Sequence, residues 1–313
     1  MPASDGRVAT ETTPRVPSRG GRLSRISRRD RAWLVFMLGV PLAFSIFIVW
    51  LPALASIWLS STRWNGLGGL GAADPIGLEN YRQLATNYPP FWPAVQNNVL
   101  WLAFFVVVAT PLGLLLAVML DKDIRGSRIY QSALFLPVVL SLALVGFIWQ
   151  LMYSRDQGLI NSVTGGTVDW IGDSSINIWA ALVAAGWRHV GYVMVIYLAG
   201  LKAIDPALRE AAALDGASEI KTFRYVTFPG LRPANIVVLV ITTIEALRAF
   251  DLVYVLNRGR NGLELLSVLI TESIIGEATR IGFGSAIATV LLVISLGVII
   301  PYLVVALRRE ESP

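Results

Sequence analysis

The sequence has no cysteine and a single histidine, His189. Disulfides and thiolate metal sites are thereby excluded, and one imidazole does not build a histidine-rich metal centre. Charge is scarce: Asp, Glu, Lys and Arg make up 15% of the 313 residues, against roughly 25% in an ordinary soluble domain. Catalytic signatures are missing too. No HExxH pair accompanies His189, and no GxSxG nucleophile elbow occurs. The nearest approach to a phosphate-binding loop is "GASEIKT" at Gly216–Thr222, but Ile220 precedes Lys221, and none of the three lysines follows a glycine. The chain is not expected to be an enzyme, and Arg188 and His189 are expected to supply hydrogen bonds inside a helix bundle rather than acid/base chemistry.

Apolar residues are what the chain has in excess, at 55%. Several windows of about 20 residues are almost free of charge, the length needed to cross about 30 Å of hydrocarbon. The pattern predicts an all-α integral membrane protein with six transmembrane helices near Trp33–Leu54, Asn97–Leu120, Ile129–Tyr153, Asn177–Leu201, Ala234–Leu256 and Ile281–Leu307. Pro41, Pro111, Pro137 and Pro301 fall inside these spans, where neighbouring helices can satisfy the freed carbonyls; kinks are expected there.

The net charge of +5 does not point to nucleic acid, because the basic residues gather in the N-terminal tail and in alternate loops. The tail through Arg31 holds eight, Asp121–Arg128 three, Lys202–Pro233 five and the C-terminal end two, against two, one and three in the other loops. By the positive-inside rule the richer set, with both termini, faces the cytoplasm. Residues 1–28 read as a disordered basic tail held near anionic lipid, ahead of a membrane domain over 29–310. The pair Arg28–Arg29 matches a twin-arginine export signal, but the apolar run behind it is too long for a cleaved h-region and more spans follow. The first external loop, about 58–96, is rich in glycine and aromatics. It serves as a lid, a docking surface or an interfacial anchor, with a short helix over Gly77–Leu84.

One polar stretch interrupts the apolar pattern, "EAAALDGASEIKTFRYVTFPGLRP" at Glu210–Pro233, within a loop of about 202–233. Asp205 can cap a helix whose first residue is Pro206. Gly216 can take the left-handed conformation that ends it, and a second short helix runs from Ser218 to before Pro229. The result is an elbow. Ala211, Ala212 and Ala213 leave its backbone open to close approach, and Glu210 and Asp215 put charges at its ends. On these grounds alone a docking surface and a surface connector are equally served, and Phe223, Val226 and Phe228 fit either.

Four charged residues fall inside the spans. Glu245, Arg248 and Asp251, spaced by three, lie on nearby faces of one helix, with Glu245 and Arg248 expected to pair. Arg188 is expected either to hold sugar hydroxyls or to brace a carboxylate such as Glu245. All four are candidates for the solute path, or for an internal brace. Trp179 and Trp187, close by in sequence, offer faces for a sugar ring or membrane anchors.

Glu210, Ala211, Ala212, Asp215, Gly216, Ala217 and Pro229, in that order between two spans, resemble the EAA loop of binding-protein-dependent ABC importer permeases. "GLENYRQL", the run Asn97–Leu140 and "FDLVYVL" are similar to segments of sugar-importing permeases of the maltose-permease F type. "NRGRNG" at Asn257–Gly262 departs from the Thr-Gly-Gly-Pro-like turn of many relatives. The resemblance implies a type I ABC importer permease fold in a bacterial cytoplasmic membrane, with the elbow seated as a coupling helix on a separate ATPase pair that binds ATP and Mg. It also implies a second homologous permease subunit, as heterodimer or homodimer, an extracytoplasmic solute-binding protein and a sugar-like solute. A glycerol 3-phosphate or other polyol importer shares much of the pattern. An ion-coupled secondary transporter is the alternative of another class, but no internal repeat of broken helices is visible to support it.

Overall fold

A computed structural model describes residues 27–122, 125–276 and 279–308, and the predicted basic tail lies almost wholly outside them. By its contacts the chain forms two units, Met1–Pro52 and Ala53–Pro313. In the first, a helix starts at Arg28, where the Ser27 hydroxyl accepts from the Arg29 N–H at 3.3 Å, and it continues through Pro41. Its side chains, from Trp33 to Trp50, are nearly all exposed, an apolar surface of the kind that lipid or another helix covers.

The apolar runs become helices long enough to cross a membrane at Arg29–Leu59, Phe91–Asp121, Asn177–Ala203 and Ile281–Val305. The expected six spans are not all found as such. The third divides into Ser127–Val139 and Leu142–Met152, set 100° apart. Leu140 is extended there, following Pro137, and the Ser141 hydroxyl caps the second helix by accepting from Leu144 N–H at 3.2 Å. The fifth also divides. Helix Arg232–Leu247 stops at Arg248, and Asp251–Asn257 begins anew. At 1.5 Å per residue the first of these is about 24 Å long, less than the hydrocarbon thickness. The break is held by Ser267, whose hydroxyl donates to the freed Ala249 carbonyl. Ser267 lies on Leu266–Ile275, an apolar helix absent from the six expected spans.

Proline is accommodated in two ways. Pro301 sits inside a continuous helix, whereas Pro111 and Pro229 each follow a five-residue π turn, Phe105–Ala109 and Phe223–Thr227. A widened turn resets the hydrogen-bond frame just before the residue that has no N–H to contribute. The helical path therefore runs past Pro229 to Gly230 instead of ending before it.

Asn177–Ala203 is the central helix of the larger unit, with Ala181, Leu182, Ala184 and Met194 fully buried. Small residues set its distances. A β-carbon on Gly113 would lie 2.8 Å from Val193, and one on Gly191 would collide with the Leu134 carbonyl, so both neighbouring helices approach backbone to backbone. At one end, asparagines hold the Asn257–Gly262 turn. Asn97 donates to the carbonyls of Gly262 and Glu264 at 2.9 and 2.8 Å, and Asn177 to that of Asn261 at 2.7 Å. The turn itself contains left-handed Arg258 and Asn261. In the 58–96 loop a short ribbon pairs Thr62 with Pro75, buried Asn80 clamps the carbonyls of Ser60 and Thr62, and the helix falls at Glu79–Asn87.

Candidate functional site

The elbow forms as its residues dictate. The Asp205 carboxylate accepts from Ala207 N–H at 2.9 Å, and Pro206 takes the first helical position, where its missing N–H leaves nothing unpaired. At the other end Gly216 N–H donates to Ala213 at 3.1 Å and Ala217 N–H to Ala212 at 3.0 Å. These crossed bonds are the Schellman ending, which needs a left-handed residue between them; Gly216 supplies it at φ +76°. Ser218 then precedes Glu219–Thr222. Spacing from Ala211 to Ala217 is thus a hydrogen-bonding requirement as well as a surface.

That surface is largely open. Glu210, Ala211, Ala213, Asp215 and Gly216 are exposed and Ala212 and Ala217 half-buried, while Leu214 and Ile220 flank them at 90% and 79% exposure. Beneath, the elbow is tied to helix ends. Arg209 donates to Asp121 at 2.6 Å and to the Leu201 carbonyl at 3.1 Å, and Lys202 reaches the other Asp121 oxygen at 3.1 Å. Lys122 and Glu219 pair at 2.6 Å, and this hydrogen bond, with the ammonium charge, holds the Glu219 carboxyl below its usual range. Of the apolar residues expected to seat the second helix, Phe223 and Val226 are half-buried and Phe228 is exposed. Leu231, fully buried among Leu120, Met194 and Leu201, does the seating.

The intramembrane charges follow one of the two pairings expected for Glu245 and not the other. Glu245 pairs with Arg188, at 3.5 Å, and not with Arg248. Arg248 falls at the end of its helix and Asp251 starts the next, and both are exposed; the break removes the common helical face on which the three were to lie. Beside the pair, His189 Nε2 and the Thr242 hydroxyl are 3.1 Å apart and Thr242 reaches Thr110 at 3.4 Å, with the imidazole stacked on Phe105 at 4.2 Å. The cavity at Arg188, His189 and Glu245 measures about 20 Å³, room for about one water. Trp179 and Trp187 are not at this cavity. Trp187 lies edge-on to Trp149 at 5.9 Å in a separate apolar groove of about 420 Å³.

Asp121, Thr242 and Ser267 were not singled out from the sequence. Only Asp121 left a signal, an acidic residue at the head of a basic loop.

With this geometry in hand, comparison with known proteins is decisive. Residues 20–311 match the family model described as the binding-protein-dependent transport system inner membrane component. The chain belongs to that family. This permease is 35% identical over 275 residues to the xylose/arabinose import permease protein XacH of Haloferax volcanii, covering 85% of each chain. It is 31% identical to the trehalose/maltose transport system permease protein MalF of Thermococcus litoralis, over 92% of this chain and 98% of the relative. Among solved structures, a bacterial alginate ABC transporter in complex with an alginate pentasaccharide-bound periplasmic protein contains a chain of the same fold, with TM-score 0.75 at 20% identity, covering 87% of the permease and 93% of that chain. The fold is that of an ABC importer permease, and the protein is a multi-pass membrane component of such a transport system.

Proposed function

We propose that the permease forms part of the translocation pathway of an ATP-driven importer for a sugar or oligosaccharide, and that the Glu210–Ala217 elbow seats in a separate ATPase subunit. The observation that carries this reading is the exposed alanine face of a Schellman-capped helix, flanked by unpartnered Leu214 and Ile220, in the loop between two apolar helical segments. Exposed leucine and isoleucine beside an alanine backbone open to close approach suit a protein groove. The excess of basic residues in alternate loops supports a cytoplasmic position for this face and for both termini. The names of its relatives, which import xylose, arabinose, trehalose and maltose, support a sugar, and the family description supports a separate binding protein.

Arg188 and Glu245 are the proposed path residues, with Arg248 and Asp251 at the break next to them. A cavity of about 20 Å³ is far below the several hundred Å³ of a small-molecule site. Helices Asn177–Ala203 and Arg232–Leu247 must therefore part for a sugar to pass, and the second permease subunit supplies the facing wall. Reconstitution in proteoliposomes with the ATPase pair, partner permease and binding protein tests the reading. Uptake of labelled xylose or maltose should require internal-face ATP. Uptake driven by an ion gradient without ATP contradicts it.

A further inference from the structure

Asp121 is placed where helix electrostatics disfavour it, a carboxylate at the C-terminal end of Phe91–Asp121. Yet it is only 10% exposed and holds two cations, one on each oxygen: Arg209 at 2.6 Å on Oδ2 and Lys202 at 3.1 Å on Oδ1. Lys202 belongs to the last turn of Asn177–Ala203, and Arg209 belongs to the elbow. The same guanidinium donates through Nη2 to the Leu201 carbonyl at 3.1 Å, so it also caps the end of Asn177–Ala203. One carboxylate thus ties together all three elements, whereas the exposed Lys122–Glu219 pair links only the first helix to the elbow.

The identity of the two membrane helices so tied is informative. Phe91–Asp121 carries Phe105 and Thr110, and Asn177–Ala203 carries Arg188 and His189, which together form most of the intramembrane polar cluster. Arg188 lies about 21 Å up its helix from Lys202, at 1.5 Å per residue. Helices transmit displacement along their axis with little loss, whereas a loop such as Ile204–Asp205 bends. We infer that Asp121 is the positioning residue that makes the elbow and these two helices one rigid body, so that a push on the elbow arrives at the polar cluster instead of being absorbed at the loop. The exposed pair Lys122–Glu219 is screened by water and contributes little to such stiffness.

This inference rests on the elbow being the ATPase contact, and the test separates the two. The chain has no cysteine, so spin labels placed by Ala207→Cys on the elbow and Val107→Cys on the exposed face of the π turn are unique in the subunit. Pulsed electron resonance on the assembled complex, with the ATPase blocked in hydrolysis, reads their separation with and without ATP. The joint predicts one narrow distance in both states for the otherwise unaltered protein. Asp121→Ala, and independently Arg209→Gln, should broaden the distribution in the ATP state and, in parallel complexes with an active ATPase, lower solute moved per ATP hydrolysed at least tenfold, in complexes that still elute intact. A narrow, unchanged distance in both assembled variants overturns the joint, as does an elbow that already shifts against Val107 in the parent protein. Loss of the crosslink between an elbow cysteine and the ATPase would instead defeat the underlying reading of the elbow.

Discussion

Gly216 carries the elbow's end through its dihedral angle alone. No atom lies within 4 Å of where its β-carbon would stand, so Gly216→Ala meets no clash and costs only the left-handed penalty of about 1–2 kcal/mol. The expected result is roughly tenfold faster amide exchange around Asp215–Ala217 with membrane insertion intact; unchanged exchange would show that the Schellman bonds do not hold this end. Arg188 and Glu245 test a different quantity. Removing one partner leaves a charge unpaired, costing about 1–3 kcal/mol here, less than for a fully buried pair because Glu245 is 37% exposed. Arg188→Met is therefore expected to lower the thermal midpoint more than the double variant Arg188→Met/Glu245→Met, and simple addition of the two single losses would contradict the pairing. At this scale the elbow residues were legible because each has a local reason visible in the chain: a cap, a proline, a glycine. For Glu245 the sequence offered two partners, Arg248 by spacing along one helix and Arg188 from the preceding span, 57 positions earlier; only the packing of the two helices decides for Arg188.

At the scale of elements, the breaks matter more than the spans. Ser267 satisfies the Ala249 carbonyl freed between Leu247 and Asp251. Ser267→Ala leaves that acceptor without its partner and should cost about 1–3 kcal/mol, read as a lower thermal midpoint in detergent; an unchanged midpoint would mean water replaces the hydroxyl fully. The elbow's second helix offers a pH test. Glu219 has its carboxyl pKa lowered by Lys122, so the stabilisation is present above the ordinary carboxylate range and disappears as pH falls through the lowered value. Amide exchange at Thr222 and Phe223, whose N–H groups donate to the Ser218 and Glu219 carbonyls, corrected for its intrinsic pH dependence, should stay constant from pH 7 to about 5 and lose protection only below about 4. Loss beginning at neutral pH would refute the pairing. Apolar runs identified four long helices because hydrophobicity over 20 residues is a local property. The divisions at Leu140 and Arg248 escaped that reading because they depend on what a distant side chain, or the next helix's cap, offers the loosened backbone.

For the whole molecule, the proposed coupling requires that no soft region lie between elbow and helices, and the described contacts meet that requirement at three places. Asparagines pin the Asn257–Gly262 turn at one end, small residues lock the central helix to its neighbours, and Asp121 gathers the helix ends at the elbow. The polar cluster between them is nearly closed, so under the proposed function solute passage there requires movement delivered from outside the chain. The most direct measurement is a crosslink from the elbow. With Ala213→Cys as the sole cysteine of this subunit and a photoreactive reagent attached, the reconstituted complex should yield a covalent adduct with the ATPase subunit in both nucleotide-free and ATP-bound states. Labelling exclusively from the extracytoplasmic side, or adducts with lipid and the solute-binding protein but never with the ATPase, would contradict the account.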